Sequence, residues 1–286
     1  MNSLGDQLAG GLLIVDGAWG TELQARGLEP GATPDTWNLT HPDLVEGVAR
    51  AYVDAGSQVI LTNTFRANSV AMKGDLAAIN RAGVEISKRA AVGRALVFAS
   101  IGPTGKMLMT GEITAEKVCA AFEAQAKSLA EAGADAILVE TMSDIEEARL
   151  AVAAAKSTGL PVIVSFAFDS GKNKDRTMMG TTPEAVAAAM AGAGADAVGA
   201  NCGAGVEYAA AICRRLRAAC DLPIWIKPNA GLPKVEGTSV KYETTAESFA
   251  SHFVALRAAG ASFIGACCGS TPDFIRALVK ARCASS

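Results

Sequence analysis

The stretch AGADAVGANCG, residues 193–203, shows how this chain is built. An alanine-rich segment ends in a turn at Gly194, and a short apolar run follows that ends at Asn201 and Cys202. Similar phrases precede other apolar runs, namely AGSQ at 55–58, AGAD at 132–135 and AGAS at 259–262. They predict one recurring turn, in which a helix ends at a glycine and leads into a buried strand, and they need not form a true repeat.

Apolar runs and helical segments alternate eight times along the chain. The predicted strands are residues 12–16, 58–64, 95–102, 136–141, 161–168, 197–202, 223–229 and 263–268. The predicted helices are roughly residues 42–55, 75–92, 114–132, 144–157, 183–193, 206–220, 244–259 and 272–282. Short continuous apolar runs are typical of parallel strands covered by helices. We therefore predict an α/β fold, a single (β/α)8 TIM barrel over residues 1–286. A doubly wound sheet is the alternative, and it lacks a GxGxxG after the first strand.

The predicted helix starts and two long loops add detail. Thr182-Pro183 fits an N-cap followed by proline at the first helical position. Three patterns fit a capping box, with the cap at Ser143, Thr181 or Thr244. Residues 19–40, with a short helix near 19–26, and residues 170–180 form long loops at the carboxyl ends of strands, either as a lid or as solvated loops.

The composition excludes several classes of protein. Half of the 286 residues are hydrophobic and the net charge is −3. No basic patch recurs, so nucleic acid is not an expected partner. The amino terminus has no signal peptide pattern and no apolar stretch is long enough to span a membrane, so a cytoplasmic location without membrane association is expected. In that reducing compartment the seven cysteines are predicted to be metal ligands, catalytic groups or core fillers rather than disulfides.

Polar and thiol side chains end most of the predicted strands. In a TIM barrel, functional residues collect at the carboxyl ends of the strands. The residues at these ends include Asp16, Asn63, Glu140, Cys202, Asn229, Cys267 and Cys268. We therefore expect the functional site among them.

Cys202, Cys267 and Cys268 are predicted to form a metal site, because thiolates favour zinc. The 65 residues between Cys202 and Cys267 do not fit a zinc finger, so the barrel must bring the strand ends together. Neighbouring strand residues point to opposite faces, so Cys267 and Cys268 can share a metal only if the strand has ended or bulged near Gly269. A vicinal disulfide is the alternative. The other four cysteines are predicted to be core fillers.

Three thiolates leave one tetrahedral position open, which is typical of a catalytic zinc. Such a zinc suits a substrate thiolate better than hydroxide, so alkyl transfer to sulfur is the predicted chemistry. The two histidines, His41 and His252, do not end strands, and histidine-based catalysis has little support.

Asp16 and Glu140 are two carboxylates at the predicted barrel mouth. They could act as an acid–base pair, bind a substrate ammonium, or simply cap helices. Backbone N–H groups in the turn that begins at Gly17 could hold a carboxylate. Beside thiolates, ammonium binding is the favoured interpretation, and the site is then one for an amino acid that carries a thiol.

Seven stretches carry a resemblance to one known family. They are DGAWGTEL (16–23), LTNTF (61–65), IGPTG (101–105), ETMSD (140–144), GANCG (199–203), KPNAGLP (227–233) and GACCGS (265–270). In these stretches the sequence resembles the homocysteine S-methyltransferase family, which includes cobalamin-dependent methionine synthases and betaine–homocysteine methyltransferases.

The resemblance implies a (β/α)8 barrel with Zn²⁺ on Cys202, Cys267 and Cys268. It also implies that the side chain of Asn229 can occupy the fourth coordination position of the zinc until homocysteine binds. Asp16 and Glu140 are implied to hold the homocysteine ammonium, and Gly17 and Asn63 are expected to complete the substrate site. The last motif departs from the usual GGCCGT at Ala266 and Ser270.

The expected reaction transfers a methyl group from a small betaine-like or S-methylmethionine-like donor to homocysteine, giving methionine. One alternative is a homocysteine-binding subunit that uses methylcobalamin on a separate corrinoid protein, because no folate, cobalamin or activation domain is expected in this chain. A second alternative is a zinc- or thiol-binding barrel without turnover.

Trp37 could face a quaternary ammonium or simply pack in its loop. Thr141 stands where animal betaine enzymes have tyrosine.

Overall fold

The computed structural model describes residues 4–232, 234–236 and 239–285. Eight parallel strands form one sheet in the order β1-β10-β7-β6-β5-β4-β3-β2. They are β1 Leu13–Ile14, β2 Val59–Leu61, β3 Leu96–Ile101, β4 Ala136–Met142, β5 Val162–Phe166, β6 Ala197–Cys202, β7 Ile224–Pro228 and β10 Ala261–Ile264. A parallel bridge between Val15 and Val59 joins the two ends of this order. The chain is therefore a single (β/α)8 TIM barrel, and the doubly wound alternative is wrong.

Helices cover the outside of the barrel. The main ones are α4 Pro42–Ala55, α5 Leu76–Ala91, α6 Ala115–Glu131, α7 Ile145–Lys156, α8 Pro183–Gly192, α9 Val206–Ala219, α10 Ala246–Ala250, α11 Phe253–Ala258 and α12 Pro272–Ala284. Shorter helices are α1 Leu4–Leu8, α2 Gly20–Ala25 and α3 Trp37–Thr40, with 3-10 turns at Pro34–Thr36 and Leu108–Thr110. α2 is the short helix expected near residues 19–26. No helix within the described ranges has both the length and the apolar character needed to cross a membrane.

Apolar side chains fill both faces of the sheet, which explains the continuous apolar runs. Inside the barrel, the rings of Phe98, Trp225 and Phe263 pack with centroids 5.2 to 6.2 Å apart. Leu4 of α1 belongs to this inner cluster. The larger cluster lies between the strands and the outer helices. Because the barrel interior is apolar, a polar functional site is expected at the carboxyl ends of the strands.

Some predicted boundaries were wrong. The last barrel strand ends at Ile264, before the two cysteines that were placed in it. The helix predicted over 244–259 is divided into α10 and α11 at Ser251 and His252. A hairpin of β8 Lys234–Glu236 and β9 Ser239–Lys241 follows β7 and was not predicted. Pro233, at the end of the KPNAGLP motif, lies outside the described residues.

Helix caps lie one residue later than the capping-box patterns suggested. Asp144, Thr182 and Thr245 cap α7, α8 and α10, and each accepts a backbone N–H of the first helical turn. Thr182 is followed by proline at the first helical position, as predicted. At α7 and α10 the neighbouring polar residues offered equivalent oxygens, so only the backbone conformation distinguished between them.

Val92 ends α5 in a left-handed conformation that its branched side chain disfavours. Its φ is 49° and its side chain is 65% exposed, so packing does not compensate. We expect Val92→Gly to raise the free energy of unfolding by about 1 kcal/mol, because glycine adopts this conformation without a Cβ clash. Urea denaturation measures the change. Val254→Gly, at an exposed position inside α11, is the control and should lose about 0.5 kcal/mol. Loss of stability in both variants would contradict this reasoning.

Candidate metal and substrate site

The sulfur atoms of Cys202, Cys267 and Cys268 lie together at the carboxyl ends of β6 and β10. The Sγ of Cys267 is 3.2 Å from that of Cys202 and 4.0 Å from that of Cys268. All three sulfurs lie within 4.8 Å of one another. β7 lies between β6 and β10 in the sheet, so the barrel brings these distant cysteines to the same edge. All seven cysteines are free, and the vicinal disulfide is absent.

Cys267 and Cys268 face the same site because the strand has already ended. β10 stops at Ile264, and a turn follows in which the Ser270 N–H donates to the Cys267 carbonyl at 3.1 Å. Gly269 has a φ of +81°, and a Cβ on it would lie 2.1 Å from the Tyr242 ring. The glycine is therefore required by both the turn and the close packing.

This thiol cluster fits a metal ion. A tetrahedral zinc with bonds of about 2.3 Å places its sulfurs about 3.8 Å apart, close to the spacing found here. Hydrogen bonds with Cys267 and Cys268, together with burial, raise the pKa of Cys202 well above its ordinary value. Hydrogen bonds from the other two thiols instead lower the pKa of Cys268. Against the hydrogen bond with Cys202, which lowers it, the hydrogen bond with Cys268 and burial raise the pKa of Cys267 to about 11, so a metal ion would have to displace protons from Cys202 and Cys267.

Asn201 connects the cluster to β4. Its Nδ2 donates to the Oγ1 of Thr141 at 2.7 Å and lies 3.3 Å from the Sγ of Cys202. Its Oδ1 accepts from the Thr141 backbone N–H at 2.8 Å and from the Ser165 hydroxyl at 2.7 Å. Thr141 and Cys202 both have positive φ, 61° and 56°. Asn201 therefore holds two residues in conformations that are unfavourable for their side chains.

Glu140 is a buried carboxylate with few partners. Its Oε1 accepts from the Ser100 hydroxyl at 2.6 Å, and its Oε2 is 3.5 Å from the Nδ2 of Asn201. Burial raises the pKa of Glu140 to about 7, although the positive charge of Lys227 opposes the shift. Glu140 therefore has an oxygen available for a cationic ligand.

Asp16 is completely buried and faces hydrogen-bond donors only. Its Oδ2 accepts from the backbone N–H of Leu61 at 2.7 Å and from the Nε1 of Trp19 at 2.8 Å. Its Oδ1 lies 3.3 Å from the Nζ of Lys227. Burial raises the pKa of Asp16, and Lys227 and the two donors oppose this. The ammonium of Lys227 compensates a negative charge on this buried carboxyl, so we take Asp16 as ionised.

Lys227 borders the site and was not among the residues that the sequence predicted there. It is the last residue but one of β7, and its Nζ donates to the Gly17 carbonyl at 2.7 Å. Burial lowers the pKa of Lys227, but the neighbouring acidic groups, chiefly Asp16, outweigh burial and raise it, so the ammonium stays charged. The signal was a lysine within an otherwise apolar predicted strand.

A cavity of about 360 Å³ opens between these groups. Its lining includes Trp19, Phe65, Arg66, Ser100, Glu140, Thr141, Lys227 and all three clustered cysteines. Asp16 is not among the lining residues. The cavity therefore presents the acidic residues Asp35 and Glu140, the basic residues Arg66 and Lys227, and three sulfurs to the same ligand.

The remaining predicted residues have mainly structural contacts. Asn63 also borders the cavity, but its Nδ2 donates to the Pro34 carbonyl and the Asn38 side chain. Asn229 Nδ2 donates to the Gly203 carbonyl, and its Oδ1 accepts from the Cys268 N–H, both at 3.0 Å.

Gly17 lies where the chain passes close to a tyrosine. A Cβ on Gly17 would lie 2.6 Å from the Tyr52 hydroxyl and 2.8 Å from the Ser270 hydroxyl. Trp37 stacks on His41 with ring centroids 4.4 Å apart, and it does not border the cavity. These contacts fit the interpretation in which Trp37 packs within its loop and does not face a quaternary ammonium.

Comparisons with known proteins show the family of this chain. The sequence profile of the homocysteine S-methyltransferase family matches residues 13–282. Methionine synthase of Mycobacterium leprae is 30% identical over 97% of this chain and 25% of that protein. The corresponding protein of Mycobacterium tuberculosis is 30% identical over 96% of this chain and 25% of its own length. The chain thus spans about a quarter of the length of these relatives.

A solved structure is similar over nearly the whole chain. It is the metallated form of the homocysteine methyltransferase MmuM from Escherichia coli, with a TM-score of 0.78 and 26% sequence identity. The similarity covers 95% of this chain and 96% of that one. These findings confirm the resemblance that the motifs indicated. The chain belongs to the homocysteine S-methyltransferase family.

Proposed function

We propose that this protein is a zinc-dependent S-methyltransferase that transfers a methyl group from a small donor to homocysteine, giving methionine. The observation that carries the proposal is that Cys202, Cys267, Cys268 and Glu140 line the same cavity. A thiol binds beside the sulfurs while its ammonium binds the carboxylate. The seven free cysteines also fit a reducing compartment, and we propose the cytoplasm.

The three cysteines would hold the zinc, which when bound would supply a positive charge that keeps the substrate sulfur ionised near neutral pH. Glu140 binds the substrate ammonium and so fixes the distance between the amino acid group and the cysteines. The substrate sulfur gains the methyl group and the donor keeps the electron pair of the broken bond. No side chain has to move a proton in this transfer, which agrees with the absence of histidine among the lining residues.

An onium compound is the donor class that the cavity fits best. Trp19 and Phe65 supply aromatic walls, and aromatic faces attract quaternary ammonium and sulfonium groups. The Trp19 ring is held in place by its hydrogen bond to Asp16. We therefore propose a betaine-like or S-methylmethionine-like donor that contacts Trp19 and Phe65 rather than Trp37.

Methylcobalamin carried on a separate corrinoid protein is the second candidate donor. The specific observation in its favour is the similarity to methionine synthases, of which this chain matches about a quarter. In that case a macromolecular partner would have to reach the mouth of the cavity.

A panel of methyl donors tests these proposals. Zinc-loaded protein is incubated with homocysteine and deuterium-methyl-labelled betaine, S-methylmethionine, S-adenosylmethionine or methylcobalamin, and labelled methionine is measured by mass spectrometry. Labelled methionine from betaine or S-methylmethionine is the expected result. Formation from methylcobalamin alone favours the corrinoid alternative. Zinc binding with no methionine from any donor would leave only a binding function without turnover.

Glu140→Gln is expected to weaken homocysteine binding by about 10- to 100-fold, because a charge-assisted hydrogen bond to the ammonium is lost. The pKa of Glu140 is about 7. Its charged form, and with it ammonium binding, is present above this pH and is lost as the pH falls through it. The KM for homocysteine, measured between about pH 6 and pH 9, should rise toward low pH more steeply in the unsubstituted protein than in the variant. Equal KM values in both proteins would exclude Glu140 as the ammonium ligand.

A further inference from the structure

Most of the charged groups around the cavity already have a partner. Four charged residues border it, namely Asp35, Arg66, Glu140 and Lys227. The ammonium of Lys227 is held by the Gly17 carbonyl at 2.7 Å and by Asp16 at 3.3 Å. The Oδ1 of Asp35 accepts a backbone N–H at 2.7 Å. Glu140 is the proposed ligand of the substrate ammonium, so the charge that is left is the guanidinium of Arg66.

The side chain of Arg66 is exposed and has no counterion among the described residues. Its Nη2 lies 3.4 Å from the Ala71 carbonyl, a distance near the upper limit for a hydrogen bond. No carboxylate in the described part of the chain lies within ion-pair distance of it. A guanidinium carries five N–H donors and stays charged near neutral pH. Most of these donors are therefore available to an anionic group that enters the cavity.

The backbone of Arg66 is fixed even though its side chain is free. Its N–H donates to Asp35, whose side chain is buried. The carbonyl of the preceding Phe65 accepts from the Gly102 N–H at 2.8 Å. A Cβ on Gly102 would lie 2.5 Å from the Phe65 ring, so the glycine leaves room for that ring. Two consecutive residues thus bring an aromatic ring and a guanidinium to the same cavity.

We propose that Arg66 binds the carboxylate of the methyl donor while the onium group of that donor lies against Phe65 and Trp19. The donor is then a zwitterionic onium carboxylate. Betaine and S-methylmethionine both belong to this class, and the two oxygens of a carboxylate match the planar fork of a guanidinium. This inference rests on the proposed function and deepens it, because it names the anionic group that the donor has to carry.

Two pairs of ligands test the need for a carboxylate. Betaine and choline share the trimethylammonium group, and only betaine has a carboxylate. S-Methylmethionine and its methyl ester differ in the same way. Affinities are measured by titration calorimetry with the whole chain loaded with zinc, in saturating L-methionine, which occupies the amino acid site and offers no thiol. In at least one pair the carboxylate should bind about tenfold or more tightly, the value of one charge-assisted hydrogen bond.

Substitutions of Arg66 identify the group that is responsible. Arg66→Gln removes the charge and keeps the backbone N–H that Asp35 accepts, so the loop should stay in place. The preference for the carboxylate should fall toward one in this variant. Arg66→Lys should retain part of it, because lysine is a point charge without the planar fork. Arg50→Gln breaks an ion pair with Glu46 on the outer helix α4, and this matched control should leave the preference unchanged.

The outcomes separate this proposal from the proposed function. If Arg66→Gln keeps the preference, or if neither pair shows one in the unsubstituted protein, the proposal is overturned. Weaker binding of L-methionine in Arg66→Gln with an unchanged donor preference would assign the arginine to the methyl acceptor and would also overturn it.

Failure of methyl transfer gives a different pattern. If the preference depends on Arg66 but no labelled donor yields methionine, the recognition of onium carboxylates stands and the methyl transfer fails. Methionine formation without any preference for a carboxylate would leave the transfer in place and remove the role of Arg66.

Discussion

Replacing Cys202, Cys267 or Cys268 by serine is expected to abolish both zinc retention and methionine formation. The three sulfurs lie within 4.8 Å of one another, so each supplies one of three protein ligands. A serine hydroxyl stays protonated near neutral pH and is a poor ligand for zinc. Changes in groups that only support the ligands already cost about 10- to 100-fold in metal affinity or activity, so loss of a ligand should cost at least as much.

Metal content is measured by mass spectrometry after dialysis, and methionine formation is assayed on the same samples. Circular dichroism checks that each variant keeps the barrel. Cys119→Ser is the matched control, because Cys119 lies on the outer helix α6 and its thiol contacts Glu123 rather than the cluster. Normal zinc content with full activity in any of the three cluster variants would refute the metal site.

Lys227→Met is expected to lower the free energy of unfolding by about 3–5 kcal/mol. The substitution keeps the length of the side chain and removes its charge. It leaves the buried carboxylate of Asp16 without its cation, and removing one partner of a buried ion pair costs this much. Urea denaturation of the metal-free protein measures the effect without a contribution from zinc.

The double variant Asp16→Asn/Lys227→Met should recover at least about 2 kcal/mol of that loss, because no buried charge remains unpaired. Lys88→Met removes the partner of Asp135 in an ion pair at the surface, where the lysine side chain is 36% exposed. This control should change stability by no more than about 1 kcal/mol. Similar losses in Lys227→Met and Lys88→Met would mean that the pair with Asp16 contributes little.

The barrel could be predicted from the sequence because every strand of a parallel sheet is buried in the same way. Both faces of the sheet are buried, so each strand is a short apolar run, and eight such runs separated by helices leave few architectures. The same reasoning placed the cysteines of β6 and of the loop after β10 at one end of the barrel. It also identified Gly269 as the residue that would let Cys267 and Cys268 face one site.

Local boundaries were less predictable. At the start of α10, Thr244 and Thr245 both offer a hydroxyl, and only the conformation of the chain selected Thr245. The run of small and apolar residues continues past the last hydrogen-bonded residue of the strand. For this reason the last strand was predicted to reach Cys268, although β10 ends at Ile264. The left-handed backbone of Thr141 and Cys202 has no sequence signal, because neither residue type favours positive φ.

The sequence by itself determined the fold, the three thiols and the acidic residue Glu140, because each follows from a pattern along the chain. The tertiary structure decided which of the two acids is open to a ligand. Asp16 follows β1 and Lys227 lies near the end of β7, and these strands are separated in the sheet by β10. Their contact depends on two side chains pointing into the same barrel end, and a buried charge takes its role from the partner it meets there.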